Sequence, residues 1–198
     1  NFAPPHGDEP SLLTHSDVLT LFHEFGHMLH HLLTRVDYPS IAGINGVPWD
    51  AVELPSQFME NFAWNFEVLQ RCSRHVDTGK PLPRELFERL DDSRHTGAAM
   101  AMMRQLEFAL FDFRLHTEYA PGAHGLAMKI LGEVRDEVAL IAAPAYNRLP
   151  HSFSHIFAGG YAAGYYSYKW AEVLAADAFG AFEETGIFDA DLAHRFRS

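Results

Sequence analysis

His23 and His27 stand four residues apart, with Glu24 directly after the first, in the run His23-Glu24-Phe25-Gly26-His27. On a helix, positions i and i+4 lie one turn apart on the same face. Two imidazoles at this spacing reach a single zinc ion at about 2.0–2.1 Å. A carboxylate beside the first imidazole turns to the same side, where it can take a proton from water activated by the metal. The pattern is short and the chain holds 13 histidines in 198 residues, so the surrounding sequence has to support it. It does so on two counts. In helical projection Thr20, His23, Glu24, His27, His30, His31 and Thr34 share one side, and a solvated face is ordinarily built from Lys, Glu and Arg instead. Gly26 sits mid-helix, where glycine costs about 1 kcal/mol relative to alanine, which points to a second segment approaching closely.

A third ligand is needed. His30 shares the face of His23, but seven residues along a helix is a rise of about 10.5 Å. Two ligand atoms on a tetrahedral zinc are only about 3.4 Å apart, so His30 is excluded. Glu53 and Glu60, in Glu53-Leu-Pro-Ser-Gln-Phe-Met-Glu60, are better placed. They too are seven apart, so one of them ligates and the other is free to hold a histidine N–H and orient its ring. A lone helical glutamate is ordinarily a solvated charge. Two in register, beside Phe58, Phe62, Ala63 and Trp64, are less easily read that way.

A second constellation begins at His155. Tyr161, Tyr165 and Tyr168 recur at i, i+4 and i+7, which lines three phenols along one helical face. Such spacing usually marks a core stripe. The chain, however, has 16 Phe and only 7 Tyr, and Tyr161, Tyr165, Tyr166 and Tyr168 crowd into one short run. Phenols and an imidazole are suitable donors to a peptide carbonyl oxygen that becomes anionic during attack. Gly159, Gly160 and Gly164 allow the backbone to bend or to approach a ligand closely.

The elements that must carry these groups follow from periodicity and punctuation. Thr14 and Asp17 have capping-box spacing, so a helix is expected over 15–34, with Val18, Phe22, Phe25, Leu29 and Leu32 as its buried stripe. The stretch 37–49 is rich in turn formers and β-branched residues and reads as a short strand or hairpin with hinges at Gly43 and Gly46. A helix is expected over 51–72, with Pro55 in its first turn, then a turn-rich loop at 73–83. Further helices are expected over 83–92, 96–119 and 123–142, the second with a core stripe of Met100, Met103, Leu106, Leu110 and Phe113.

Composition narrows the classes. A hydrophobic content of 47% and a charged content of 21% are those of a globular chain. The formal charge of -11 argues against nucleic acid and against an anionic membrane surface as partners. Cys72 is the only cysteine, which removes an internal disulfide and a thiolate zinc site. No signal peptide or membrane-length apolar span is evident, and a reducing, cytoplasmic setting is expected. The chain opens at Asn1 without a methionine, and a piece of a longer protein is expected.

With these residues in view, His23-Glu-Phe-Gly-His27 followed by Val52-Glu53-Leu-Pro-Ser-Gln-Phe-Met-Glu60-Asn61 resembles the thimet oligopeptidase family of zinc metallopeptidases, in particular its oligopeptidase A branch. The resemblance continues through Arg104-Gln-Leu-Glu-Phe-Ala-Leu-Phe-Asp-Phe-Arg114 and from His155 to Tyr168, and so covers nearly the whole chain. It implies a mainly α fold, a zincin-like helical catalytic domain over 1–198 with a small β-hairpin region near residues 38–48. It makes Glu53 the third zinc ligand and leaves Glu60 to hold a histidine. It implies one Zn2+ per chain, Glu24 as general base, and contacts from His155, Tyr161, Tyr165 and Tyr168 to the substrate backbone. Short peptides are the implied substrates. Endopeptidase and dipeptidyl carboxypeptidase action both occur among relatives. Family members are several times longer, and a missing N-terminal domain of the same protein is expected to complete the substrate channel. The alternative is a truncated domain that binds zinc and peptide without turnover.

Overall fold

The computed structural model describes residues 2–198. It is helical almost throughout: α1 His15–Leu32, α2 Leu54–Phe62, α3 Phe66–Cys72, α4 Arg84–Arg94, α5 Ala98–Glu118, α6 Leu126–Val138, α7 Leu149–Ser152, α8 Ser154–Phe157, α9 Ser167–Thr185 and α10 Ala190–Arg197. Among the described residues, extended pairing is limited to a bridge between His6 and Glu9. No helix among them is long and apolar enough to cross a membrane. The chain divides into two compact units, one holding the residues up to Arg94 and from Ala171 onward, the other His95–Trp170.

In the first unit, α1 starts where the sequence says it should. The Thr14 hydroxyl accepts the Asp17 N–H at 3.2 Å, and the Thr14 N–H donates to the Asp17 carboxylate at 2.9 Å. A capping interaction of this kind contributes about 1 kcal/mol. The packing of α1 differs from the expectation. Its buried residue is Gly26, whereas Phe25 is 42% and Leu32 69% exposed. The side that packs is the His and Gly side, and it packs on α2. A Cβ on Gly26 would lie 2.3 Å from the Pro55 carbonyl oxygen and 2.5 Å from the Ser56 Cα. Glycine is there because two backbones touch.

Two further expectations are corrected. The region near residues 38–48 is no hairpin but a series of short 3-10 turns, Pro39–Ile41 and Gly43–Gly46, followed by Trp49–Ala51. Pro39 and Pro48 cannot donate to a ladder. The remaining polar groups are satisfied locally, as where the Asn45 amide donates to the Pro39 carbonyl at 3.1 Å. The helix expected over 51–72 is broken, because the Asn65 side chain accepts from the N–H groups of Glu67 at 2.9 Å and Val68 at 3.2 Å and so starts α3 anew. Behind α2 lies an aromatic core. Phe58, Phe179 and Phe182 are buried, with the Phe58 ring 5.3 Å from Phe182 and 4.1 Å from Phe196, centroid to centroid. Aromatic pairs at these distances add to area burial and hold α2 on α9 and α10.

In the second unit, α6 buries Ile130, Leu131, Val134 and Val138. The expected methionine stripe of α5 is not its core face: Met100 is 49%, Leu106 40% and Phe113 42% exposed. The buried positions are Glu107, Phe111, Asp112 and Leu115. Charged groups are tolerated inside only when paired. Glu107 is held by Arg135 Nε at 2.8 Å and by Arg104 at 2.7 Å, an arrangement that ties α5 to α6.

The contact at Gly26 gives a direct test. Gly26→Ala improves helix propensity by about 1 kcal/mol yet drives a methyl into backbone that has no side-chain freedom to yield. Overpacking of this kind costs typically 1–3 kcal/mol or more, so denaturant melts should show the variant to be less stable than the parent. A variant as stable as the parent would mean that α1 and α2 do not approach as described.

Candidate active site

The α1–α2 contact determines where three side chains meet. His23 and His27 project from α1 toward the start of α2, and Glu53 is the residue that immediately precedes α2. The Nε2 atom of His27 lies 3.1 Å and that of His23 3.3 Å from the same Glu53 oxygen, Oε2. One donor atom from each residue lies within 4.8 Å of the other two. His30 is not part of the group. Among the described residues its Nδ1 is buried without a hydrogen-bond partner, and burial, then the neighbouring charges of His31 and His27, hold its pKa below the usual value.

The supporting contacts are as specific as the convergence. Glu53 is 3% exposed. The Ser56 hydroxyl, itself buried, lies 2.9 Å from Glu53 Oε2 and 2.8 Å from the Glu53 carbonyl oxygen. Ser56 also forms part of the backbone surface against Gly26, so the helix contact and the orientation of Glu53 share one residue. Glu60, one face and two turns along α2, accepts at Oε1 from His23 Nδ1 at 2.7 Å. That bond leaves Nε2 of His23 as the nitrogen turned to Glu53. Burial alone would pull the His23 imidazole below its usual range, but hydrogen bonds and charge from Glu53 and Glu60 outweigh it and push it up to about 9. The space between the three atoms therefore suits a proton or a cation.

The donor set fits zinc. Ligand atoms about 3.4 Å apart are what bonds of about 2.0–2.1 Å in tetrahedral geometry require, and the two nitrogen-to-oxygen separations are close to it. Two imidazoles and one carboxylate leave a fourth position open, the pattern of catalytic zinc. A histidine whose far nitrogen is held by a carboxylate is the usual companion of such a site. Glu24 is exposed, with its carboxylate available to solvent on the helix that carries both histidines.

The residues expected to contact substrate lie in the second unit. Tyr161 and Tyr165 are buried and Tyr168 half-buried, whereas His155 is exposed. They form one ring cluster: Tyr161 stacks on Tyr168 at 4.9 Å, Tyr165 lies 5.1 Å from Tyr168, and His155 lies 5.8 Å from Tyr165 and 6.1 Å from Tyr168. The helical face expected for them is corrected. Residues 158–166 are turns and bends and α9 begins only at Ser167, so a folded loop and not a single helix gathers the phenols. Burial pushes the Tyr165 phenol up, against the opposing hydrogen bond of Gln105 and the charge of Arg104, which keeps it a donor. Sequence reasoning missed Ser56, whose only signal was its place three residues after Glu53.

Comparison with known proteins identifies the family. The family model for peptidase family M3 matches residues 1–198. The chain is 55% identical over 196 residues to oligopeptidase A of Escherichia coli (strain K12), covering 99% of the chain and 29% of that protein. It is 57% identical over 189 residues to oligopeptidase A of Haemophilus influenzae, covering 96% of the chain and 28% of that protein. With the dipeptidyl carboxypeptidase of Escherichia coli it shares 38% identity over 201 residues, 100% of the chain and 29% of that protein. The chain thus spans under a third of the length of these relatives. A helix bearing both histidines, a glutamate brought to them by a backbone contact, and a family model matched from end to end lead to one conclusion: this chain belongs to peptidase family M3.

Proposed function

We propose that residues 1–198 form the catalytic zinc domain of a metallopeptidase that hydrolyses short oligopeptides, with one zinc ion held by His23, His27 and Glu53. The observation that carries this reading is the approach of two histidine Nε2 atoms, at 3.1 and 3.3 Å, to a single oxygen of Glu53. The names of the relatives, oligopeptidase A among them, support the substrate class. When bound, the ion supplies Lewis acidity, lowering the pKa of water toward about 7 and polarising the peptide carbonyl.

The chain's own residues do the rest. Glu60 holds His23 through Nδ1 and Ser56 holds the Glu53 carboxylate, so the donor atoms are oriented before any ion arrives. Glu24 accepts a proton from the attacking water at its carboxylate and delivers it to the amine as the peptide C–N bond breaks. Tyr168, with Tyr161, Tyr165 or His155, donates to the carbonyl oxygen as it gains charge.

A second reading is favoured by length: the chain spans 29% of its E. coli relative. In that reading the domain binds zinc and peptide but depends for turnover on further polypeptide, which walls the substrate channel. The exposed Phe25, Met28 and Leu32 of α1 are then surface for that polypeptide to cover.

Three outcomes test these readings. Metal analysis of purified variants should give one zinc per chain for His30→Ala, as for the parent, and a large loss for Glu53→Gln. Glu60→Gln should retain the site with affinity weakened about 10–100-fold. Zinc lost with His30 and kept without Glu53 would overturn the ligand set. Glu24→Gln should keep its zinc while turnover of a quenched-fluorescence peptide falls about 10²–10⁴-fold, and activity within tenfold of the parent would remove Glu24 as the base. Finally, kcat/KM for one peptide should be far lower for the isolated chain than for the same chain joined to the remainder of a family-length polypeptide, because positioning supplies about 7–11 kcal/mol of such barriers. Equal values would make the 198 residues self-sufficient.

A further inference from the structure

α5 buries a carboxylate that the reaction described above does not use. Asp112 is 0% exposed, and both of its oxygens are engaged. Oδ1 accepts the N–H of Ala163 and Oδ2 the N–H of Tyr165, each at 2.9 Å. One turn along α5, His116 places Nδ1 2.9 Å from Oδ1 and 2.9 Å from the Asp112 carbonyl oxygen. A buried carboxylate is costly unless it is hydrogen-bonded this fully, and an apolar residue at this position would fill the same space without that cost. Its value must lie in what it holds.

What it holds is the loop that gathers the tyrosines. Ala163, between the two tyrosines, has a φ of 54°, a conformation that an L-residue keeps only where its surroundings impose it. The loop closes on itself through the Gly164 N–H to the Tyr161 carbonyl at 2.8 Å, and the Ser167 hydroxyl donates to the Gly164 carbonyl at 2.6 Å. The Asp112 bonds pin two more of its amides from 51 and 53 residues away. On its inner side the Tyr165 ring packs 5.0 Å from Phe153 and 5.5 Å from Phe108, so backbone position is translated directly into phenol position.

We propose that Asp112, braced by His116, is a positioning residue: it fixes the backbone from Gly160 to Tyr165 and so sets the aim of the Tyr161 and Tyr165 phenols on the substrate carbonyl. This role rests on the peptidase reading above. Removing the carboxylate takes the acceptor from the buried N–H of Tyr165 and the part-buried N–H of Ala163 and lets Ala163 relax out of its left-handed conformation. Displacing a donor by about 1 Å from a mutation remote from the chemistry can cost about 10²-fold in rate.

The test is Asp112→Asn in the intact, zinc-loaded polypeptide that carries this chain, read by hydrogen exchange and by steady-state kinetics on one peptide. The amide keeps the shape but turns an NH2 toward one of the two N–H donors. Exchange over 159–165 should quicken, zinc content should stay at the parent's value, and kcat should fall about 10²-fold with KM within about threefold. Should that variant fail to fold, His116→Ala carries the same test. It should lower kcat about tenfold with faster loop exchange, while His116→Gln, which keeps an N–H donor, should stay near the parent. A folded variant with unchanged loop exchange overturns the proposal. So does an active parent whose kcat is unmoved by Asp112→Asn, or a fall in kcat accompanied by loss of zinc. A parent that cleaves no peptide, yet whose loop exchange responds to Asp112→Asn, overturns the peptidase reading and with it the catalytic purpose of the loop, while the hold of Asp112 on the loop stands.

Discussion

The contact on which the first unit depends is backbone against backbone. Gly26 of α1 rests on Pro55 and Ser56 of α2 at a distance no other residue type permits. The two histidines flank it on α1 and Glu53 immediately precedes α2, so the closeness of the helices becomes the closeness of the ligand atoms. Ser56 belongs to both the contact and the carboxylate. Stability and chemistry therefore share residues here. A methyl group at position 26 is expected to disturb the proposed metal donors as well as the packing, although it touches none of them.

Around this contact the polar groups are arranged in order of necessity. Glu53, nearly fully buried, meets Ser56 and two imidazoles; Glu60, more exposed, holds the far side of one imidazole; Glu24 is left to solvent. Three glutamates in one small region thus receive three different environments, which suit them to the separate roles proposed for them as ligand, support and base. The second unit uses the same economy of buried charge. Glu107 links α5 to α6 through Arg135, and Asp112 links α5 to the tyrosine loop.

Much of the donor arrangement was legible in the sequence, because it depends on local spacing. The i, i+4 histidines, the capping box at Thr14 and the mid-helix glycine are each read within one or two turns. The distance argument against His30 needed only the rise of a helix, and the family resemblance rested on motifs that the family model matches from residue 1 to 198. What was misread required knowledge of partners. A 3.6-residue stripe says that two faces differ, not which one is covered: Phe25 and Leu32 of α1 and Met100, Leu106 and Phe113 of α5 are exposed, while Val18, Phe22, Leu29, Met103 and Leu110 are half-buried. Asn65 ended a helix by competing for backbone N–H groups, a choice that propensity alone leaves open. At 38–48 the prolines and Asn45 favoured local turns over a ladder. At 158–166 an i, i+4, i+7 pattern was carried by a loop, held by an aspartate about fifty residues earlier. No window of sequence contains that pairing.

The central claim is that α1 and α2 meet so as to offer one cation two imidazole nitrogens and one carboxylate oxygen. Zinc-edge anomalous diffraction from crystals of the zinc-loaded chain tests it most directly. The account predicts one strong peak per chain, about 2.0–2.2 Å from His23 Nε2, His27 Nε2 and a Glu53 oxygen, with Glu60 still bonded to His23 Nδ1. A peak held by His30 or His31, or zinc spread over surface histidines with none between α1 and α2, would contradict it.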